Sequence, residues 1–177
     1  MEATKAEQES MMKIEPHKEH QWLIKLVGEW AYETEATMGA DQPPEKATGT
    51  ESVRSLGGLW IIAEGQGEMP GCGAVTSMMT LGYDQQKQRY IGTWIGSMMT
   101  NLWVYDGELE ADDRVLTLNA EGPDMTTEGK TAKYKDTIEF KSDNHRVLTS
   151  HALGDDGKWH KFMTANYWRK NYTNSPE

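Results

Sequence analysis

The densest run of interaction-prone side chains is GTWIGSMMTNLWVYDG, residues 92–107, which holds Trp94, Met98, Trp103 and Tyr105. Trp and Tyr join a broad apolar surface to one polar group, and Met adapts to irregular shapes. The same residues therefore suit a packed core or the wall of a pocket for a small apolar or amphipathic molecule. A second feature is charge inside strand-like segments. In TESVRSL, Glu51, Val53 and Ser55 fall on one face of a strand, and Ser52, Arg54 and Leu56 on the other; in LWIIAEG, Trp60, Ile62 and Glu64 share a face. Arg54 and Glu64 pointing inward together would form a buried pair, costly to desolvate unless fully hydrogen-bonded and so suited to anchoring a ligand headgroup. Pointing outward, they would form a surface pair of about 0.2–1 kcal/mol. Alternation alone does not say which face is inside. The ligand-binding candidates are Arg54, Trp60, Glu64, Met78, Trp94, Met98, Trp103, Tyr105 and Tyr134.

Other chemistries find less support. His17 and His20 in HKEH stand three apart, but the motif is neither HExxH nor HxxEH and has no third ligand nearby; an exposed pair at a helix start is the simpler reading. His145, His151 and His160 lie in or near turns without a haem-attachment motif. No metal or other cofactor is expected. Cys72, the one cysteine, sits in MPGCGAV with no neighbouring base, and no GxSxG elbow occurs. GQG at 65–67 and GCG at 71–73 open no helix and extend to no phosphate-binding motif, so they read as bends.

The elements that must position these residues follow from period and punctuation. Residues 1–15 are polar and aperiodic and read as a mobile leader; 16–172 read as one domain. EPHKEHQWLIKLVGEW carries Pro16 at a first helical position and apolar Trp22, Leu23, Leu26 and Val27 on one side, with Gly28 as the stop. Beyond Gly28 the rhythm is strand and turn, with about ten strands at roughly 8–14 residue intervals, as in a sandwich or barrel. Short turns imply antiparallel neighbours, and a meander of that length favours closure, which removes exposed edges. The expected fold is all-β: an antiparallel up-and-down β-barrel of about ten strands, lipocalin-like, with a short N-terminal capping helix.

A net charge of −10 argues against a nucleic-acid partner, which needs a basic footprint. The absence of an apolar leader or of a long apolar run argues against a membrane segment, and one cysteine fits a reducing cytoplasm. Pairing of two copies through exposed strand faces is left open.

The blocks HQWLIKLVGEW, TGTESVRSLGGLW, AEGQGEMPG, MMTLGYD, GTWIGSMMTNLWVY, LTLNAEGP and DDGKWHKFM, in that order over residues 16–169, resemble the bacterial family catalogued as domain of unknown function 1579. That resemblance implies a cytosolic protein without a settled activity. More remotely, a short helix followed by LVGEW is similar to the LxGxW start of lipocalin-like and fatty-acid-binding-like (calycin) barrels; there the Trp plugs the barrel base, which would make Trp30 its counterpart. The leading functional reading is a non-enzymatic binder of a small apolar or amphipathic molecule. The alternatives are an isomerase or hydrolase using Glu51 or Glu64 as acid or base, and a structural or regulatory protein whose barrel is filled.

Overall fold

The computed structural model describes residues 14–37 and 41–170; of the expected leader only residues 14 and 15 fall within them. Among the described residues a helix, α1 (Lys18–Ile24), precedes ten strands: β1 (Gly28–Ala36), β2 (Glu45–Leu56), β3 (Trp60–Met69), β4 (Gly73–Asp84), β5 (Arg89–Gly96), β6 (Trp103–Leu109), β7 (Val115–Pro123), β8 (Thr131–Ser142), β9 (His145–Leu153) and β10 (Trp159–Arg169). Each strand pairs antiparallel with the next, and β1 pairs with both β2 and β10, so the barrel is closed. The expected architecture is the observed one. Closure leaves no free edge for another chain to pair with.

A helix of seven residues is marginal on its own, so α1 depends on what it docks against. The His17 amide donates to His20 Nδ1 at 2.9 Å, while the His20 Nε2–H reaches the Tyr83 carbonyl at 3.2 Å. Trp22 Nε1 donates to Asp113 O at 2.7 Å, and Tyr90 Oη donates to Glu19 O. The helix is thus tied to β4, β5 and the β6–β7 turn and closes one end of the barrel. His20 is accordingly buried rather than exposed as expected of the HKEH pair; only His17 faces water. The helix also begins two residues after Pro16 and stops short of Gly28, which instead starts β1 with a φ of +138°.

Beneath α1 the inward side chains form a continuous core. Leu23, Trp30, Ile61, Leu81, Tyr90, Leu116 and Ile138 expose 1% of their surface or less. Trp30 sits at its centre as the barrel-base plug that the LVGEW likeness implied. Its Nε1 donates to Leu26 O at 2.8 Å, and the Arg169 guanidinium lies 4.2 Å from the ring centroid. Arg169 in turn donates to the carbonyls of Val27 and Lys25, in the segment leading to the plug, and of Asp143, in the β8–β9 turn. Close approach of strands in this half demands glycine at Gly92, where a Cβ would collide with the Thr80 carbonyl.

Candidate functional site

Strand parity is now assigned by the core. On β3 the buried positions are Ile61 and Ala63, so Trp60, Ile62 and Glu64 face out. On β2 the buried Val53 puts Glu51 inside and Arg54 outside. Arg54, Trp60, Glu64 and Met78 therefore all lie on the exposed outer wall, not in the interior. The Trp60 ring covers Gly82, and Met78 pairs directly with Ile95 across β4–β5. The inward positions of β3 are Ile61, Ala63, Gly65 and Gly67, and Gly67 gives room to the Tyr32 hydroxyl. Glu64 is consequently not an interior acid or base. Glu51 points inward but is committed to an ion pair.

The other candidates converge. Trp94 and Trp103 are direct partners across β5–β6, and Tyr105 and Tyr134 face the lumen on β6 and β8. Tyr134 meets the Trp103 ring edge-on at 5.0 Å, and its hydroxyl donates to Pro123 O at 2.6 Å. Trp103 Nε1 donates to Met99 Sδ at 3.0 Å. Met98, in the β5–β6 link, packs its sulfur at Gly96 beside the Trp94 ring. Trp94 and Trp103 lie flat against Gly96 and Gly122, and Tyr32 lies against Gly49 and Gly67.

Burial separates the two halves of the lumen. Near α1, Leu23, Trp30, Leu81, Tyr90 and Leu116 are sealed and Tyr83, Leu109 and Phe140 partly so, whereas toward the opposite rim Tyr32, Thr34, Ser77, Trp94, Trp103, Ala152 and Met163 retain partial solvent contact. The enclosed space in the sealed half amounts to about 10 Å³, beside Glu51, Arg146 and Ile61, no more than a water occupies. The capped half is thus filled, and toward the other rim lies a cup of partly exposed inward side chains. A groove of about 520 Å³, reaching Thr34 and Met163 at that rim, runs over β1, β2 and the start of β10, edged by the exposed Glu33, Glu35, Lys46 and Lys161.

The floor of the cup is polar. Asp136, on β8, accepts hydrogen bonds from Tyr105 Oη and Ser150 Oγ, both at 2.6 Å. Enclosure by the barrel wall raises its carboxyl above the ordinary range, opposed by those two hydrogen bonds. Burial likewise raises the Tyr105 hydroxyl, helped by the neighbouring Asp136 charge. Alongside lies a buried ion pair between Arg146 and Glu51. The Arg146 guanidinium is held between two rings, 3.9 Å from the centroid of Tyr167 and 4.6 Å from that of Trp30. Its Nε is buried without a hydrogen-bond partner, an uncommon feature because an unsatisfied buried donor is costly.

Asp136, Arg146, Ser150 and Tyr167 were not among the sequence candidates. A signal for them existed: in TAKYKDTIEFK, Asp136 shares parity with Tyr134, Ile138 and Phe140, and in HRVLTSHAL, Arg146 shares it with Leu148. A charge standing on the apolar parity of a strand marks an inward polar group. Among the described residues no group of His, Cys, Asp or Glu has the geometry to hold a metal ion.

The Asp136 carboxyl has a consequence for stability. Because its pKa is raised in the fold, the ionised form is disfavoured there relative to the unfolded chain. This penalty is present in full above the folded pKa and vanishes as pH falls below the unfolded value of about 3.9. Asp136→Asn, which keeps the shape and an acceptor, is expected to be more stable than the parent at neutral pH. The margin should shrink to nothing as the pH approaches 3.5; urea unfolding at a series of pH values measures it, and a margin that does not vary with pH would contradict it.

Two solved structures share the architecture. Rv2717c from M. tuberculosis is 12% identical with a TM-score of 0.56, covering 88% of this chain and 99% of that chain. The S-type phycobiliprotein lyase CPES from Guillardia theta is 12% identical with a TM-score of 0.55, covering 89% and 100%. Similarity at that level is one of fold. A comparison with curated proteins gives no match to the sequence. Among the described residues no helix is long and apolar enough to cross a membrane. The sequence does match a family model over residues 15–169, and the chain belongs to that family, described as protein of unknown function (DUF1579).

Proposed function

We propose that the protein binds a small amphipathic molecule in the open half of its barrel, without transforming it. The observation that carries this is the division of the lumen: a sealed core beneath α1, then a solvent-reached cup with aromatic walls and a hydrogen-bonding floor. A ligand body would rest against Trp94, Trp103 and Tyr134, and its polar end would reach Asp136, Tyr105 and Ser150. Concave apolar surface with a few converging polar groups is the usual composition of small-molecule sites. The third reading, a filled barrel, fits the capped half. A single exposed cysteine accords with a cytoplasmic location.

Titration with a panel of aromatic and alkyl compounds, followed by tryptophan fluorescence, tests the binding. A saturable change is expected, and Trp94→Phe with Trp103→Phe should remove most of it while Trp60→Phe, on the outer wall, should not. Native mass spectrometry of freshly purified protein should find a co-purified molecule. No response to any member of the panel, with no retained mass, would rule the reading out.

A further inference from the structure

Between the rim and Trp30 the lumen faces three charged side chains among the described residues: Glu51, Arg146 and Asp136. Glu51 and Arg146 neutralise one another. Asp136 meets no cation. Around it, β6 supplies Tyr105, β9 supplies Ser150, and β10 supplies Tyr167. The imidazole of His151 lies on the other face of β9, where burial, reinforced by the neighbouring Lys135 and Lys161 charges, holds it below its ordinary range. Tyr105 and Ser150 each occupy one oxygen of Asp136. A carboxylate has about four acceptor positions, so two are spare. Asp136 is not fully buried, and its side chain has the inward parity of Tyr134 and Ile138, so a guest in the cup would use those positions.

The alternatives for that guest differ in charge. An anionic head would meet the Asp136 charge and would find Arg146 already held by Glu51 and covered by the Trp30 and Tyr167 rings. A neutral head would leave the carboxylate uncompensated or require it to take a proton. A cation supplies the missing countercharge, and the faces of Trp94, Trp103 and Tyr134 above Asp136 attract it on its way in. The chain's net charge of −10 acts in the same direction at long range.

We infer that the cup is selective for an organic cation, an aromatic or alkyl ammonium whose nitrogen pairs with Asp136. This rests on the reading of the cup as a binding site. Calorimetric titration with phenethylamine, 2-phenylethanol and 3-phenylpropionate tests it, since the three share a body and differ in head charge. The amine is expected to bind at least about tenfold more tightly than the other two, the range of a charge-assisted hydrogen bond. Asp136→Asn should bring the amine to the level of the alcohol. Affinity for the amine should also strengthen as pH rises through the Asp136 titration.

Equal or tighter binding of the alcohol or the carboxylate by the unmodified protein overturns the selectivity and leaves the cup standing. An amine preference that survives in Asp136→Asn does the same. Failure of all three compounds, together with a silent fluorescence panel, removes the cup and the selectivity together. The preference of the unmodified protein is read without any variant, so a poorly folded Asp136→Asn leaves the test intact.

Discussion

Arg146→Ala is expected to destabilise the protein by about 3–5 kcal/mol, the range seen when one partner of a buried ion pair is removed. The structure gives three reasons for a value toward the upper end. Glu51, whose side chain keeps only 13% of its surface exposed, would stay in the barrel wall without its countercharge. The rings of Trp30 and Tyr167 would lose the guanidinium between them, with a cation–π contribution that grows as water is excluded. The space vacated would join a cavity of about 10 Å³ bordered by Val53, Ile61 and Leu148, all apolar and poor at solvating a carboxylate. Replacing both charges together has a different sign of argument. Arg146→Met with Glu51→Leu removes the desolvation cost on both sides, and buried pairs exchanged for apolar residues of similar size are often neutral or stabilising. The double variant should therefore recover most of what Arg146→Ala loses. Urea unfolding monitored by fluorescence and circular dichroism would measure both. A single variant as stable as the parent would show that water, not Arg146, compensates Glu51.

The pair also bears on the proposed site. Arg146 and Glu51 lie where the filled half of the lumen gives way to the cup, close enough to Tyr167 that both charges act on its hydroxyl. Tyr167 lies against Tyr32 at 5.2 Å between ring centroids. Loss of the pair would loosen this junction and the cup floor above it. Stability and ligand binding should then fall together in Arg146→Ala, whereas Asp136→Asn should separate them, losing amine binding while gaining stability at neutral pH.

How much of this could be read beforehand varies with the kind of information. The barrel was legible because strand length, turn chemistry and the lack of helical period after Gly28 all point the same way. The helix as a cap was legible from its brevity and apolar stripe, but its tethers were not, since the carbonyls of Tyr83 and Asp113 come close to it only in the closed barrel. The candidate site divided by strand. In RYIGTWIG and WVYDGEL, alternating large and small residues made the aromatic face distinctive, and Trp94, Trp103 and Tyr105 do face inward. In LWIIAEGQG both parities carry apolar side chains, so nothing local distinguishes Trp60 and Glu64 from Ile61 and Ala63. The choice there is made by packing in the closed barrel, where Gly67 gives space to Tyr32 and Ala63 lies beside Met79. Pairing of Glu51 with Arg146 joins positions 95 residues apart, and no short-range pattern anticipates it.

The other large effect concerns the base of the barrel. Trp30→Ala should lower stability by about 3–5 kcal/mol, the usual range for deleting a large aromatic from a core. Trp30 has no solvent exposure, donates to Leu26 O and is flanked by Arg146 and Arg169. Without the ring, Arg169 would keep its bonds to Val27 and Lys25 but border a void, and Arg146 would lose one of the two faces that hold it. Trp30→Phe separates these contributions. It retains most of the apolar contact while dropping the hydrogen bond to Leu26, whose carbonyl would then be left buried at a cost of about 1–3 kcal/mol. The order of stability should be parent, then Trp30→Phe, then Trp30→Ala, by chemical denaturation at neutral pH. Because α1 is anchored through Leu26 and the Arg169 clamp, Trp30→Ala should also free the helix locally, and hydrogen exchange of the amides of residues 21–27 should quicken more than that of β7 and β8. Uniform quickening across the barrel would mean that the plug holds the whole sheet together instead of seating the cap.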